Sequence, residues 1–440
     1  MPNIIFLLAD DQRWDALSIA GNKHIETPFL DKLANQGTYF TNAYVTTSIC
    51  AVSRASILTG QYARKHGIWG FDKNIEGDQL TNTYPLQLKK HGYTIGFIGK
   101  YGVGYELPSK QFDYWKGFGG QGSFKSKDDL DQPIHLTKRI EGQILEFIDL
   151  QKDAQKPFSL SVSFKAPHVE GDPGYFLPDQ HYDSLYSDNE VATPPTSSSK
   201  YFDHFPKEFT QNNVARNRWE TRFATDSMQQ ANIKKYYRLV HGIDQTVGAL
   251  LKKLKETGLD KNTIIIYSSD NGFYLGEYGF AGKWYGSDPS IRVPLIIYDP
   301  KNTERTPKQI NQKALNIDIA PTILAMAGTP IPSRMQGKDL TRLIADTTIS
   351  WRDRFFYEHI WQSSERYYIP STEGVVVSDK KYMRYFKDKD TANIIFEELY
   401  DLKHDPEEKN NLIGKEEFSA LEQELKNTYR EVRAFAASKE

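Results

Sequence analysis

Two largely apolar runs stand out along the chain, at Ile4 to Ala9 and at Thr263 to Ser269. Each run gives way to acidic and amide side chains, the first at Asp10 and the second at Asp270. A run without polar alternation is typical of a strand that is buried on both faces. The pattern therefore predicts two central strands of a buried sheet, each ending in polar residues.

Shorter apolar segments alternate with helical patterns elsewhere. The further strand candidates are Gly96 to Gly99, Phe158 to Phe164 and Val293 to Ile297. The segments with helical spacing are Pro28 to Gln36, Leu136 to Leu150, Ile233 to Glu256 and Asp318 to Ala327. This alternation predicts an α/β fold with a large, mainly parallel sheet that is flanked by helices on both faces.

Two regions depart from the alternation. Residues 171–222 are rich in Pro, Ser, Asn, Tyr and charged side chains, which predicts a long excursion over the active-site face. After about residue 346, short alternating segments at Gly374 to Val377, Tyr382 to Phe386 and Phe396 to Leu399 precede a polar helix from Glu417 to Ala436. We therefore expect a catalytic domain over 1–346 and a C-terminal subdomain over 347–440, built as a small antiparallel sheet packed with a helix.

The charge of the chain is nearly balanced. The 55 Lys and Arg side chains almost cancel the 57 Asp and Glu side chains, for a formal net charge of -2. This balance argues against a nucleic-acid partner and a polybasic membrane anchor, and it favours a small or glycan-like substrate. No apolar run reaches the roughly 20 residues that cross a bilayer. The first strand begins too close to Met1 for a signal peptide, so we expect either a cytoplasmic protein or a removed export signal.

The two central strands end in Asp10-Asp11 and Asp270-Asn271. Ligands collect beyond the carboxyl ends of the strands in an open parallel sheet, so these four side chains should converge. Their oxygens are hard ligands, which suit Ca²⁺ better than Mg²⁺ and either better than zinc. The alternative is that each pair caps the following helix.

Cys50 is the only cysteine, which excludes an intramolecular disulfide and a multi-thiolate zinc site. A lone cysteine is ordinarily a small buried hydrophobe. Arg54 lies four residues later, in a short helical pattern that Gly60 closes. A guanidinium beside a helix N-terminus forms an anion site next to the sulfur, which favours a functional cysteine.

These residues lie in a stretch that resembles the type I, formylglycine-dependent sulfatases of the alkaline-phosphatase superfamily. The signature of that family runs Cys, any residue, Pro or Ala, Ser, Arg, and then a helix ending in Thr-Gly. Residues 50–60 match it with Val52 in place of Pro or Ala. The resemblance covers nearly the whole chain through ordered motifs, which are Asn3-Ile4-Ile5 with Asp10-Asp11, Thr27-Pro28-Phe29-Leu30-Asp31, Ala166-Pro167-His168, Ser269-Asp270-Asn271-Gly272, Gly282-Lys283, Ser290-Ile291-Arg292-Val293-Pro294-Leu295, Glu398-Leu399-Tyr400-Asp401-Leu402 and Asp405-Pro406-Glu407.

By that resemblance, a formylglycine-generating enzyme converts Cys50 to formylglycine, and the protein hydrolyses sulfate esters, mostly those of carbohydrates. The implied Ca²⁺ ligands are Asp10, Asp11, Asp270, Asn271 and an oxygen of the modified Cys50. The residues implied to hold the sulfate are Arg54, Lys100, His168 and Lys283. One hydroxyl of the hydrated aldehyde attacks sulfur and the other expels sulfate, with Asp270 orienting the attack and His168 as the candidate acid. The family also suggests a periplasmic or secreted location, with a cytoplasmic one left open.

The second motif of the family, usually Gly-Lys-x-His, appears here as Gly99-Lys100-Tyr101-Gly102. The lysine is therefore present and the histidine is absent. In the family that histidine is thought to assist the release of sulfate. We hypothesise that His66, or a group near it, substitutes for the missing side chain, with a structural histidine as the alternative.

Two clusters are candidates for binding the sugar, since Arg pairs with anionic groups and Trp stacks on rings. They are Arg216, Arg218, Trp219 and Arg222 in the first, and His359, Trp361, Arg366 and Tyr367 in the second. The first cluster is equally typical of an ordinary helix surface. Two other functions stay open, which are phosphate or phosphonate ester hydrolysis on the same scaffold and non-catalytic binding of sulfated glycans.

Overall fold

The structure, a computed structural model, describes residues 1–128, 130–171, 174–302, 309–360, 368–388 and 390–438. The strands are, in chain order, β1 Asn3–Asp10, β2 Thr38–Phe40, β3 Ala43–Tyr44, β4 Thr94–Lys100, β5 Tyr114–Phe118, β6 Lys125–Lys127, β7 Pro133–His135, β8 Phe158–Pro167, β9 Thr263–Ser269, β10 Tyr274–Leu275, β11 Ala281–Gly282, β12 Arg292–Val293, β13 Leu295–Tyr298, β14 Gln309–Ile310, β15 Ala314–Leu315, β16 Arg354–His359, β17 Ser371–Val377, β18 Lys380–Phe386 and β19 Ile394–Asp401. The α-helices are α1 Pro28–Gln36, α2 Cys50–Thr59, α3 Ala63–His66, α4 Gly77–Thr81, α5 Tyr84–Lys90, α6 Leu136–Gln151, α7 Lys207–Thr210, α8 Val214–Arg222, α9 Asp226–Glu256, α10 Asp288–Ile291, α11 Ile319–Met326, α12 Thr341–Ala345 and α13 Ser419–Ala437.

The large sheet has the strand order β14-β2-β13-β9-β1-β8-β4-β5. Its centre is parallel, since β1 pairs in parallel with β8 and β9, and β4 pairs in parallel with β8 and β5. Every residue of β1 is buried. Alternate side chains of this strand enter different cores, Ile4 and Phe6 on one side and Ile5 and Leu7 on the other, which explains the continuous apolar run.

Helices cover both faces of this sheet. Buried residues of α1, α6 and α9 belong to one core, and buried residues of α2, α5 and α11 belong to the other. The predicted α/β class with a mainly parallel, doubly covered sheet is confirmed. None of the helices in the described part of the chain combines the length and apolar character that a membrane span requires.

The prediction of one strand over Val293 to Ile297 was wrong. Pro294 separates β12 from β13, because proline has no N–H to donate to a ladder. β13 then runs antiparallel to β9, while β12 pairs with β3 in a separate small sheet.

The C-terminal region forms an antiparallel sheet in the order β16-β17-β18-β19, with α13 packed against β16, β17 and β18. This agrees with the predicted small sheet and terminal helix, and it adds β16, which the sequence pattern did not indicate. The backbone N–H of Glu358 in β16 donates to the carbonyl of Thr46, 3.0 Å away, in the loop before α2. The small sheet is thereby joined to the segment that leads to Cys50.

Candidate active site

Four neighbouring parallel strands end at one edge of the large sheet. The polar residues at or just after their carboxyl ends are Asp270 and Asn271 at β9, Asp10 and Asp11 at β1, His168 at β8 and Lys100 at β4. Apart from His168, these residues are 0 to 1% exposed. The strand order thus gathers residues that lie up to 261 positions apart in the sequence.

The acidic and amide side chains of the two central strands are in direct contact. The backbone N–H of Asp11 donates to Asp270 Oδ1 at 3.1 Å, and Asn271 Nδ2 donates to Asp11 Oδ1 at 2.7 Å. Asp11 has a φ of 70°, a left-handed conformation that Asp tolerates better than most residues. Two buried oxygens, Asp10 Oδ1 and Asn271 Oδ1, have no hydrogen-bond partner. Unpartnered buried acceptors among carboxylates suit a hard cation.

Cys50 is the first residue of α2 and is 1% exposed. Its sulfur and the carboxylate oxygens of Asp10 and Asp270 all lie within 4.8 Å of one another. One turn later, Arg54 Nε donates to Asp270 Oδ2 at 2.8 Å, and Arg54 Nη2 lies 3.4 Å from Asp10 Oδ2. The helix N-terminus, the sulfur and the guanidinium therefore face the same carboxylates.

Two lysines complete the cluster. Lys100 Nζ forms an ion pair with Asp10, and Lys283 Nζ forms one with Asp11. Arg54 also holds the end of β4, since its Nη1 donates to the carbonyl of Lys100 at 2.7 Å. The ammonium groups are buried, at 0% and 5% exposure of the residue, so each depends on its acidic partner.

The same environment moves the pKa values of the acids in opposite directions. Burial by itself raises the pKa of Asp10, but the positive charges around it, above all Lys100, lower that pKa well below its usual range. Burial and the nearby Asp10 carboxylate raise the pKa of Asp270 to about 6. Two neighbouring carboxylates can both be ionised only when nearby positive charges offset their repulsion.

His168 follows the last residue of β8. Its Nδ1 lies 2.8 Å from the carbonyl of Val169, so this nitrogen carries the hydrogen and Nε2 is the acceptor. Nε2 lies 3.6 Å from Asp11 Oδ2, and the side chain is 16% exposed. Burial lowers the pKa of His168 to about 3 although Asp11 and Asp10 act to raise it, so the imidazole is neutral near pH 7. His168 thus lies at the outer side of the cluster.

His66 does not fit the hypothesised role at the nucleophile. Its Nε2 is hydrogen-bonded to Ser56 Oγ at 3.0 Å, and its Nδ1 accepts from the backbone N–H of Ile68 at 3.1 Å. Burial lowers the pKa of His66 to about 3. Nε2 thus joins α3 to α2 and Nδ1 holds the turn after α3, which is the structural alternative.

Gly102, where the second motif usually has a histidine, is closely packed. A Cβ atom at this position would lie 2.9 Å from Arg54 Cδ and 3.4 Å from Lys100 Cε. The residue also has a φ of 72°, which disfavours a side chain. Arg54 and Lys100 therefore occupy the space that a histidine at 102 would need.

The first sugar-binding cluster is divided by the structure. Arg216 lies 4.1 Å from the ring of Phe202 and 4.0 Å from that of Trp219, so these residues stack on one another. Arg222 is 2% exposed and its Nε donates to the carbonyl of Gly174 at 2.8 Å. Arg222 is thus buried, whereas Arg216 and Trp219 are partly exposed and stack on each other, so the predicted cluster does not present one shared face.

Arg218 has a different neighbour. Its guanidinium lies 5.1 Å from the ring of Trp284, the residue after Lys283. Trp284 has a φ of 88°, and its carbonyl accepts a hydrogen bond from Tyr357 Oη at 2.6 Å. Arg218 therefore lies over the side chain of the residue that follows the lysine of the cluster.

The second sugar-binding cluster is described only in part. His359, at the end of β16, is 2% exposed, and burial lowers its pKa to about 3, with a further contribution from the charge of Lys283. His359 therefore lies within electrostatic reach of the site. Trp361, Arg366 and Tyr367 lie outside the described residues.

One polar contact was not anticipated from the sequence. Gln121 Oε1 accepts a hydrogen bond from Lys100 Nζ at 2.7 Å. The only local signal is the run Gly119-Gly120-Gln121-Gly122, which indicates a tight loop but not what the loop contacts.

The fold, together with the acids, cations and cysteine at the carboxyl edge of its large sheet, defines a hydrolase of sulfuric esters. The family model described as Sulfatase matches residues 2–329, and the model described as N-sulphoglucosamine sulphohydrolase, C-terminal, matches residues 276–434. The chain belongs to the sulfatase family.

Individual relatives agree with this assignment. An N-acetylglucosamine-6-O-sulfatase of Bacteroides thetaiotaomicron is 28% identical over an alignment 484 residues long, which covers 96% of this chain and 85% of the relative. A protein solved in complex with its substrate D-glucosamine-2-N,6-O-disulfate superposes with a TM-score of 0.80 at 26% identity, over 100% of both chains. The phosphonate monoester hydrolase of Agrobacterium radiobacter has a TM-score of 0.79 at 19% identity, over 99% of this chain and 96% of its own, which shows the fold alone.

Proposed function

We propose that this sulfatase removes sulfate from a carbohydrate, with a formylglycine formed from Cys50 as nucleophile and Ca²⁺ as the metal. The observation that carries the proposal is the convergence of Asp10, Asp270 and the Cys50 sulfur within 4.8 Å, next to Arg54. A cysteine that served only as a buried apolar residue would not be expected among carboxylates and a guanidinium.

The residues present suit a hard cation. We assign Asp10, Asp11, Asp270, Asn271 and the oxygen that replaces the Cys50 sulfur as its ligands, since Asp10 Oδ1 and Asn271 Oδ1 are buried and unpartnered. An all-oxygen set favours Ca²⁺, and Mg²⁺ is the less favoured alternative because it demands a tighter octahedral site. When bound, the cation supplies positive charge that stabilises the sulfate oxygens and the nucleophile.

The chain itself supplies the rest of the anion site. Three carboxylates face three cationic side chains at this edge, which are Asp10, Asp11 and Asp270 with Arg54, Lys100 and Lys283. We assign the three cationic side chains to the sulfate oxygens, where negative charge develops during transfer. His168 lies at the outer side of the cluster and is assigned to the leaving alcohol.

Maturation of Cys50 requires a partner enzyme in this proposal. Formylglycine supplies a hydrated aldehyde, in which one hydroxyl attacks sulfur and the other allows sulfate to be expelled. Asp270 Oδ2 accepts from Arg54, and a carboxylate oxygen of Asp270 lies within 4.8 Å of the Cys50 sulfur, a position from which this residue can orient the attacking hydroxyl.

A sugar is the favoured leaving group. The relative named N-acetylglucosamine-6-O-sulfatase and the neighbour solved with a glucosamine disulfate support this choice. Within the chain, the candidate sugar contacts are Arg218, which lies over the ring of Trp284, and His359, whose pKa is affected by the charge of Lys283. A periplasmic or secreted location, where sulfated glycans are met, belongs to the same proposal, and fractionation of the producing cells would check it.

The test is sulfate release from a panel of sulfated monosaccharides and oligosaccharides, with phosphate and phosphonate monoesters as the competing substrates. We expect release from a sulfated sugar by the matured protein, a mass at residue 50 that is lower by about 18 Da, and no release by Cys50→Ala. Faster turnover of phosphonates would favour the rival hydrolase. An unmodified Cys50 in a protein that binds glycans without cleaving them would favour the non-catalytic function.

A further inference from the structure

We propose that Gln121 is a positioning residue for Lys100, an inference that rests on the proposed role of Lys100 in holding the sulfate. Gln121 is an exposed residue, yet its Oε1 accepts a 2.7 Å hydrogen bond from the ammonium of a lysine that is 0% exposed. The side-chain amide of Gln121 thus links the exposed outer side of the site, which we call its mouth, with the buried Lys100.

The loop that carries Gln121 has a defined shape. It joins β5 to β6, and Gly120 and Gly122 on either side of Gln121 both have a φ of 64°. A Cβ atom on Gly122 would lie 2.4 Å from the ring of Phe118, so the loop packs closely on the end of its own strand. The left-handed conformation of both glycines allows the tight turn that brings Gln121 to Lys100.

Buried Lys165 ties this loop to the loop that carries His168. Its Nζ donates to the carbonyl of Gln121 at 3.1 Å and to the carbonyl of Val169 at 3.1 Å. The Val169 carbonyl is also the acceptor for His168 Nδ1. One ammonium, with its side chain 1% exposed, therefore fixes the main chain beside both residues at the mouth.

A second tie comes from Glu170. Its carboxylate accepts from Ser123 Oγ at 2.6 Å and from the backbone N–H of Phe124 at 3.0 Å, and it lies 3.5 Å from Lys165 Nζ. The loop is thus anchored immediately after Gln121. An exposed side chain on an anchored loop can hold a partner at a fixed point, because little entropy is lost when the contact forms.

The amide sets the direction of the Lys100 ammonium. A lysine ammonium has three N–H donors, and those of Lys100 contact Asp10 and Gln121, which leaves one for a sulfate oxygen. Lys100 is already in direct contact with Asp10, so without Gln121 the ammonium could rotate about that contact. The amide fixes a second N–H of Lys100 and so keeps the third directed toward the anion.

This role differs from that of the histidine absent at Gly102. An amide neither gives nor takes a proton at ordinary pH, so Gln121 cannot act as an acid or base. It can only hold Lys100 in place. Arg54 and Lys100 fill the space around Gly102, so the new contact comes from a different loop.

The experiment compares Gln121→Leu with Gln111→Leu, a substitution of an exposed glutamine in the segment before β5. Leucine keeps the size of the side chain and removes the acceptor. We measure affinity for inorganic sulfate by thermal-shift titration of the matured, calcium-loaded protein, together with kcat and KM on a sulfated sugar. For Gln121→Leu we expect about tenfold weaker sulfate binding and about tenfold lower kcat/KM, the value of one hydrogen bond to a charged group.

Unchanged melting temperature and calcium content in Gln121→Leu would separate positioning from a role in stability. Sulfate affinity and kcat/KM within twofold of the unmodified protein, or equal losses in Gln111→Leu, would overturn the inference alone. An unmodified protein that neither binds inorganic sulfate nor releases it from esters would overturn the proposed function and this inference together.

Discussion

Two of the regions in which this molecule buries charge are built differently. One is the carboxyl edge of the large sheet, and the other is the seam between that part of the chain and the C-terminal sheet. At the seam, Lys381 Nζ lies 2.6 Å from Asp288 Oδ1 and also pairs with Glu408. Glu408 Oε1 accepts in turn from the backbone N–H of Asp288 at 3.0 Å.

The difference lies in what is left unsatisfied. At the sheet edge, Asp10 Oδ1 and Asn271 Oδ1 are buried without partners, whereas among the described residues no charged atom of Asp288, Lys381 or Glu408 is in that state. A closed network, without unpartnered atoms, stabilises the fold and needs no ligand, whereas the unpartnered oxygens at the open sheet edge suit a cation. Buried charge alone therefore does not identify a functional site.

The largest expected effect comes from removing an acid at the open edge. Asp10→Asn deletes a charge that we assign to the metal and that Lys100 and Arg54 also contact. We expect loss of bound calcium and a fall in kcat/KM of at least about 10³-fold. Metal analysis and steady-state kinetics check this. Asp288→Asn at the seam is the control and should keep its bound calcium and its kcat/KM. Calcium retained by Asp10→Asn would contradict the proposed difference between the sheet edge and the seam.

The next effect concerns stability at the seam. Lys381→Met leaves two buried carboxylates facing each other, so the free energy of unfolding should fall by about 3–5 kcal/mol. Activity per folded molecule should stay near that of the unmodified protein. Denaturant unfolding monitored by fluorescence measures the change. Lys380→Met, which removes a half-exposed pair with Asp379 and Asp401, should cost less than about 1 kcal/mol.

The smallest effect is a dependence on pH at the same seam. Burial, and then the nearby Asp288 carboxylate, raise the pKa of Glu408 to about 7 from its ordinary value of 4.5. A raised pKa means that the folded state holds the proton more tightly, so the stability gained below pH 4.5 is lost as the pH rises through about 7. Between pH 6 and pH 8 this loss should be about 1 kcal/mol.

Glu408→Gln removes the titrating group and should flatten that part of the profile. Urea unfolding at pH 6, 7 and 8 provides the measurement. Asp288 titrates below this window, because its partners, Lys381 foremost, outweigh burial and lower its pKa. Parallel profiles for the two proteins would assign the pH dependence to other groups.

The order of elements was largely predictable from the sequence, because the burial of an element is reflected in the apolar pattern of its own residues. β1 and β9 are largely apolar since both of their faces are covered, and α1 follows the predicted range residue for residue. The two errors in the predicted strands also have causes in the local sequence. Pro294 divides a predicted strand, and β16 carries no alternation that would distinguish it from a loop.

The candidate site was predictable only where it follows strand ends and a family motif. Asp10, Asp11, Asp270 and Asn271 could be placed together because parallel strands end at one edge. The partners of Arg216 and Arg222 could not be foreseen, since Phe202 and Gly174 lie on other parts of the long excursion. Spacing along α8 gives the face of a helix but not what that face meets.

The sequence by itself determined the buried strands, their polar ends and the cysteine with its arginine one turn later, because each of these is set by neighbours along the chain. Tertiary structure alone decided that His66 packs against Ser56, that Gly102 lies against Arg54 and that Gln121 reaches Lys100. Those contacts join segments with no fixed spacing, so their geometry exists only once the sheet has brought the loops to one edge.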